Sequence, residues 1–164
     1  MCCLEPMTLF KHILVAVDFS EFSQEAVRIG SGLARAFGGE VIVLHVCDTP
    51  KSVDHSLLTG HSRAIHSLLD LQKENAKAAR RKLDEWVERY DWGKATVRAE
   101  VKPGAPYAEI TDMAKAVNAD LIVIGAHGRS PFVRMLIGST VERVVRKATC
   151  PVLSVTIPKE DAST

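Results

Sequence analysis

No apolar run in this chain is long enough to cross a bilayer. The longest, residues 13–17 and 121–124, are strand-sized, which excludes a membrane-spanning helix as the organising element. Nor is there a block of basic residues. Lys plus Arg number 21 against 20 Asp plus Glu, a formal net charge of +1, so non-specific nucleic-acid binding has no electrostatic footprint. Cys2, Cys3, Cys47 and Cys150 lack any CxxC spacing, which argues against a disulfide framework and against zinc held by paired ligands. Residues 1–8 show no charged segment followed by an apolar one, so they do not read as a secretory signal. Together these absences predict reduced thiols in a cytoplasmic protein with neither nucleic acid nor membrane as partner. What is present is ordinary: 46% hydrophobic and 25% charged residues over 164 positions, enough for one domain with a full layered core.

Short apolar runs alternate with helical stretches. Residues 12–17 are apolar with little alternation, as expected for a strand covered on both faces. Ser20 offers a helix N-cap, and Glu21 suits the positive end of the helix dipole. Phe22, Ala26, Ile29, Leu33 and Phe37 recur at steps of three and four until Gly38 and Gly39 stop the helix. Residues 41–46 predict a second strand, and 48–60 a polar loop long enough to be functional or mobile. A long helix is expected over 62–90, striped by Leu69, Ala76, Leu83 and Tyr90 with Ala79 and Trp86. About three heptads with small residues fit packing on a sheet better than a coiled coil. Residues 95–101 predict a third strand, turned at Pro103-Gly104, and Pro106 opens a helix with Ile110, Met113, Ala114 and Val117 inward. Strand 121–124 ends at Gly125; a short helix over 139–148 and a strand over 151–155 follow.

This series predicts an α/β fold, a single-domain doubly wound five-stranded parallel sheet with helices on both faces. Residues 10–157 form the domain, 1–9 an N-terminal extension and 158–164 a C-terminal tail. Ligands of such sheets sit outside the carboxyl ends of the strands, where strand order reverses. Asp18 follows the first strand there, and Gly125-Ala126-His127-Gly128 follows the fourth. After nine further residues, Gly138-Ser139-Thr140 opens the last helix. Glycines let backbone approach a ligand closely, and a helix N-terminus presents unpaired N–H groups that suit phosphate.

Read at Gly125, Gly128, Gly138 and Ser139, the pattern Gly-x2-Gly-x9-Gly-Ser resembles the ATP-binding signature of the universal stress protein family. Residues 11–20, KHILVAVDFS, resemble that family's first strand and acidic residue; VIVLHV at 41–46 and CPVL at 150–153 resemble its second and last strands. The likeness covers about residues 10–157. It implies ATP, or ADP or AMP, bound with magnesium. Asp18 would then contact ribose hydroxyls or a nucleotide-linked metal, with no metal held by protein alone. Val46 would pair its backbone with adenine; Ala16 and Ile124 would line base or sugar, and Gly125 would approach the ribose. Gly128, Gly138, Ser139 and Thr140 would offer N–H groups to the phosphates, Ser139 also its hydroxyl, and Arg129 and Ser130 lie close enough in sequence to help. The likeness also implies a role in stress survival.

Other readings compete with these. Ser139 and Glu142 make an S-x-x-E capping box that uses the same N–H groups, and Asp18 could simply cap the following helix or turn. His127 lacks an obvious orienting carboxylate for a catalytic base, and His45 reads as a satisfied core histidine. Gly93-Lys94-Ala95-Thr96 leads into a strand and lacks the upstream glycine of a P-loop; Gly30-Ser31-Gly32 lacks a dinucleotide fingerprint's third glycine. Function therefore reads first as a non-enzymatic, nucleotide-regulated module. The alternatives are a slow ATPase or nucleotidyl-transfer enzyme using the same pocket, and a nucleotide-free dimeric scaffold. In the predicted strand order 3-2-1-4-5, the last strand is an uncovered edge carrying Val152, Leu153, Val155 and Ile157. It predicts a homodimer through that edge, the arrangement the family likeness also implies.

Overall fold

The computed structural model describes residues 9–48, 62–128 and 138–157, with 62–69 as helical backbone only. The extension 1–8 with Cys2 and Cys3, the expected loop beyond Asp48, Arg129, Ser130 and the tail 158–164 lie outside the described residues. The chain order is β1 (His12–Val17), α1 (Glu21–Phe37), β2 (Glu40–Asp48), α2 (Ser62–Glu88), β3 (Thr96–Gly104), α3 (Pro106–Ala116), β4 (Leu121–Gly125), α4 (Ser139–Lys147) and β5 (Val152–Val155). The strands form one sheet in the order β3-β2-β1-β4-β5, every neighbouring pair parallel. The sequence predicts this order and this doubly wound class, and both stand.

Side-chain alternation divides the core into two layers. Ile13, Val15, Val17, Val41, Val43 and Val123 face α1 and α2, meeting Val27 and Ala34 of one and Leu83 and Trp86 of the other. Leu14, Ala16, Ile42, Leu44, Ile122 and Ile124 face α3 and α4, meeting Ile110, Met113, Val141 and Val144. Burial of each large aliphatic side chain is worth about 1.5–3 kcal/mol. β1 and β4 are therefore apolar almost throughout, because both of their faces are covered. His45 is 7% exposed, its Nδ1 2.9 Å from the Val17 carbonyl oxygen, as expected of a core histidine. At the opposite end of the sheet, Asp120 Oδ2 accepts from the N–H groups of Lys11 and His12, both at 2.8 Å. That clasp fixes the register at which β1 enters beside β4.

Two boundaries and one strand's burial differ from expectation. β3 runs through Pro103 and Gly104 instead of turning there, because its pairing with β2 continues to Cys47↔Pro103 and Asp48↔Gly104. β3 is an edge strand, and on its open side a proline forfeits no ladder bond. α2 ends at Glu88, two residues short of Tyr90; Trp92 then folds back, its indole N–H donating to the Val87 carbonyl at 2.8 Å. In β5, Val155 is 3% exposed and belongs to the core facing α1, whereas Leu153 and Ile157 are each 38% exposed. The last strand thus offers fewer outward apolar side chains than its sequence suggests.

Candidate functional site

β1 gives way to α1 through an unusual turn. Phe19 sits at φ 64, a left-handed backbone that is uncommon for a bulky side chain and costs energy unless neighbours enforce it. Here they do. Its ring lies 4.4 Å from that of His45 and 5.3 Å from that of Trp86, with Lys82 Nζ 4.5 Å from its centre. With Phe19 committed to that layer, Asp18 is left on the opposite, open side. Asp18 Oδ1 accepts from the Ser20 N–H at 3.0 Å and the Ser20 hydroxyl at 2.6 Å. Ser20 in turn caps α1 by accepting from the Ser23 N–H at 3.2 Å. Asp18 therefore buttresses the cap and is not the cap itself.

The glycines of the second segment do different things. A β-carbon on Gly125 would come within 2.8 Å of both the carbonyl carbon and Cβ of Phe22. Gly125 is bare because the start of α1 presses on the end of β4, a packing reason and not only a ligand-approach reason. A β-carbon on Gly128 would meet Asp18 Oδ2 at 3.1 Å, so these two segments face each other closely. Gly138 is the N-cap of α4, in an extended conformation (φ −59, ψ 144) with no side chain capping the helix. The S-x-x-E capping box does not form: Ser139 lies one residue inside the helix, and Glu142 pairs with Arg146 at 2.8 Å instead. The Gly138 N–H donates to the Ala126 carbonyl at 2.9 Å. It is not open to a phosphate here, contrary to the sequence expectation. The N–H groups without intrahelical acceptors are those of Ser139, Thr140 and Val141, since the helix ladder begins with Glu142 N–H donating to Gly138 O at 3.0 Å.

These pieces enclose a cleft of about 570 Å³ at the carboxyl ends of β1, β2 and β4, well within the range of small-molecule sites, about 300–1,000 Å³. It lies where strand order reverses on either side of β1. Of the residues singled out from sequence, Ala16, Asp18, Val46, Ile124, Gly125, Gly128, Gly138, Ser139 and Thr140 all line it; Arg129 and Ser130 lie outside the described residues. Leu44, Pro106, Ile110, His127 and Glu142 line it as well and were not picked out as ligand contacts. Leu44 was findable, because it stands two residues before Val46 and so on the same sheet face. Pro106 and Ile110 were not, because no local signal says which helix leans over the crevice. The result is an apolar wall from β1, β2, β4 and α3, and a polar rim from Asp18, the His127 loop and the start of α4. Among the described residues no group of three His, Cys, Asp or Glu side chains could hold a metal.

Sheet order, helix faces and a cleft at the reversal point define an open doubly wound α/β protein of the kind that takes a small ligand at its strand ends. Within that class the assignment is specific. The model of the Universal stress protein family matches residues 9–156, and the chain belongs to that family. Universal stress protein MJ0531 of Methanocaldococcus jannaschii is 35% identical over 153 residues, covering 93% of this chain and 86% of its own. The solved universal stress protein UspA from Lactobacillus plantarum superposes with a TM-score of 0.71 at 29% identity, over 89% of this chain and 97% of that one. A universal stress protein from Archaeoglobus fulgidus, solved in complex with dAMP, shares the fold at a TM-score of 0.57 and 24% identity, over 90% of this chain and 99% of that one.

Proposed function

We propose that this protein binds ATP, or a related adenine nucleotide, in the cleft, and that occupancy adjusts its conformation or partners in a stress response. The carrying observation is the α4 N-terminus. It opens onto the cleft with no side-chain cap, opposite an apolar wall and within one continuous cavity that also reaches Asp18. A flat, largely apolar base fits the wall formed by Ala16, Leu44, Ile110 and Ile124. Phosphates fit the N–H groups of Ser139 and Thr140 at the positive end of the helix dipole. Asp18 and Gly125 would reach the ribose, and magnesium would arrive on the phosphates and meet Asp18. Val46 would present backbone to the adenine edge, and Gly128 would let its loop approach the phosphates. That a neighbour of this fold was solved with dAMP is consistent with an adenine nucleotide of some kind.

Among the described residues β5 ends the sheet, and its edge completes the reading. With Leu153 and Ile157 outward and β5 at the end of the sheet, antiparallel pairing with a second copy would satisfy both open edges. To test the nucleotide reading, the purified protein is denatured and whatever small molecule it releases is identified. ATP supports a regulatory binding module, and ADP or AMP supports slow turnover in the same pocket. If nothing is released and added ATP does not bind at millimolar concentration, the proposal is wrong.

A further inference from the structure

Among the described residues that line the cleft, the ionisable side chains are Asp18, His127 and Glu142. Two are carboxylates, on a rim that the proposed function assigns to phosphates. His127 is the one that can become a cation. Its ring packs edge-on against Phe22, centroids 4.9 Å apart and planes at 65°, which restrains the plane of the imidazole. No hydrogen bond engages its ring nitrogens among the described residues, and no buried side-chain nitrogen or oxygen among them lacks a partner, so the ring nitrogens are not sealed inside. Its Cα would lie 3.7 Å from a β-carbon on Gly138, so the residue stands directly beside the start of α4.

Resting on the nucleotide reading above, we infer that His127 is a proton-dependent phosphate contact that sets preference for nucleotides by their phosphate charge. As imidazolium it would donate a charge-assisted hydrogen bond to a phosphate oxygen and offset the two rim carboxylates. As neutral imidazole it no longer brings that positive charge to the rim. The charged groups that line the cleft with it are Asp18 from the β1–α1 turn and Glu142 from α4; on α1, Glu21 and Glu25 flank Phe22, the residue its ring packs against. Glu25 is occupied by Arg28, whose hydrogen bond holds that carboxyl below its usual range, and Glu142 by Arg146. Binding a phosphate next to His127 favours its protonated form, so its contribution grows as pH falls and is lost as pH rises.

The test compares wild type with His127→Gln by calorimetry at pH 6 and pH 8, without divalent cation, using ATP and adenosine as probes. Comparison with the variant cancels the protonation of ATP's own phosphate, which falls in the same range. For ATP, the wild-type advantage over the variant should grow about tenfold from pH 8 to pH 6; for adenosine it should stay near one at both. NMR supplies a second readout: the His127 imidazole titration midpoint should rise on adding ATP and stay put on adding adenosine. An ATP advantage independent of pH, with an unmoved midpoint, overturns the inference and leaves His127 as a packing partner of Phe22. Failure of wild type to bind ATP at either pH instead overturns the nucleotide reading on which the inference rests.

Discussion

Gly125 and Gly138 sit at the two ends of one glycine pattern and look equivalent in sequence, yet their surroundings are opposite. Gly125 is buried at the end of β4, and a β-carbon there would strike the backbone of Phe22 and approach the Ser23 nitrogen at 3.0 Å. Gly138 borders the cleft as the N-cap of α4, and a β-carbon there would meet the Ala126 carbonyl oxygen at 3.3 Å, a tight contact but well short of the clash at Gly125. The first glycine lets an element pack; the second keeps a helix end bare. A single motif therefore carries a stability requirement at one end and, on the proposed nucleotide reading, a ligand requirement at the other.

The largest expected effect is on binding, at Gly138. Gly138→Val should abolish measurable ATP binding, because the added methyl groups crowd the approach to the Ser139 and Thr140 N–H groups. Its stability should fall by at most about 1 kcal/mol, since valine accepts the extended backbone seen there and Gly138 makes no side-chain cap to lose. Gly125→Ala should show the reverse emphasis. Forcing a methyl against the start of α1 should cost about 1–3 kcal/mol in denaturant unfolding, even in the absence of ligand. If the two variants lose stability equally, the contrast between the glycines fails.

Asp18→Ala is expected to fall between them. It should weaken ATP binding by about 1–3 kcal/mol, the range for a hydrogen bond to a charged group. It should also lower the melting temperature slightly, because Ser20 loses the carboxylate that holds it in place to cap α1. A drop in melting temperature with unchanged affinity would leave Asp18 as a structural buttress alone. The smallest stability effect belongs to the sheet edge. Leu153→Lys should convert a dimer to a monomer in sedimentation while barely changing monomer stability, since Leu153 is 38% exposed. Val155→Lys is no test of the dimer, because Val155 is core and the charge would be buried. Wild type sedimenting as a monomer at micromolar concentration would rule out the proposed dimer.

Much of this was legible because buried parallel strands declare themselves. β1, β2 and β4 are continuous aliphatic runs, and the helices between them keep their period, so element order and layers follow from pattern alone. Edge strands declare themselves less well: Pro103 and Gly104 carry the chemistry of a turn, and only pairing to Cys47 and Asp48 keeps them in β3. At the site, the residues of the motif line the cleft, but one of its expected donors, the Gly138 N–H, is taken by the Ala126 carbonyl. Whether Gly138 or Ser139 caps α4 depends on the hydrogen bond from Gly138 to Ala126, twelve residues away, which no local spacing encodes. The left-handed Phe19 was equally hidden, since its conformation is enforced by His45, Trp86 and Lys82 from two other elements.

The most direct measurement of the central claim is a calorimetric titration of ATP with magnesium into wild type, Gly125→Ala and Gly138→Val. It is run at a temperature where circular dichroism shows all three folded. The account predicts that wild type binds, that Gly125→Ala binds in proportion to its folded fraction, and that Gly138→Val gives no binding heat. A folded Gly138→Val with wild-type affinity would contradict the placement of phosphates at the start of α4.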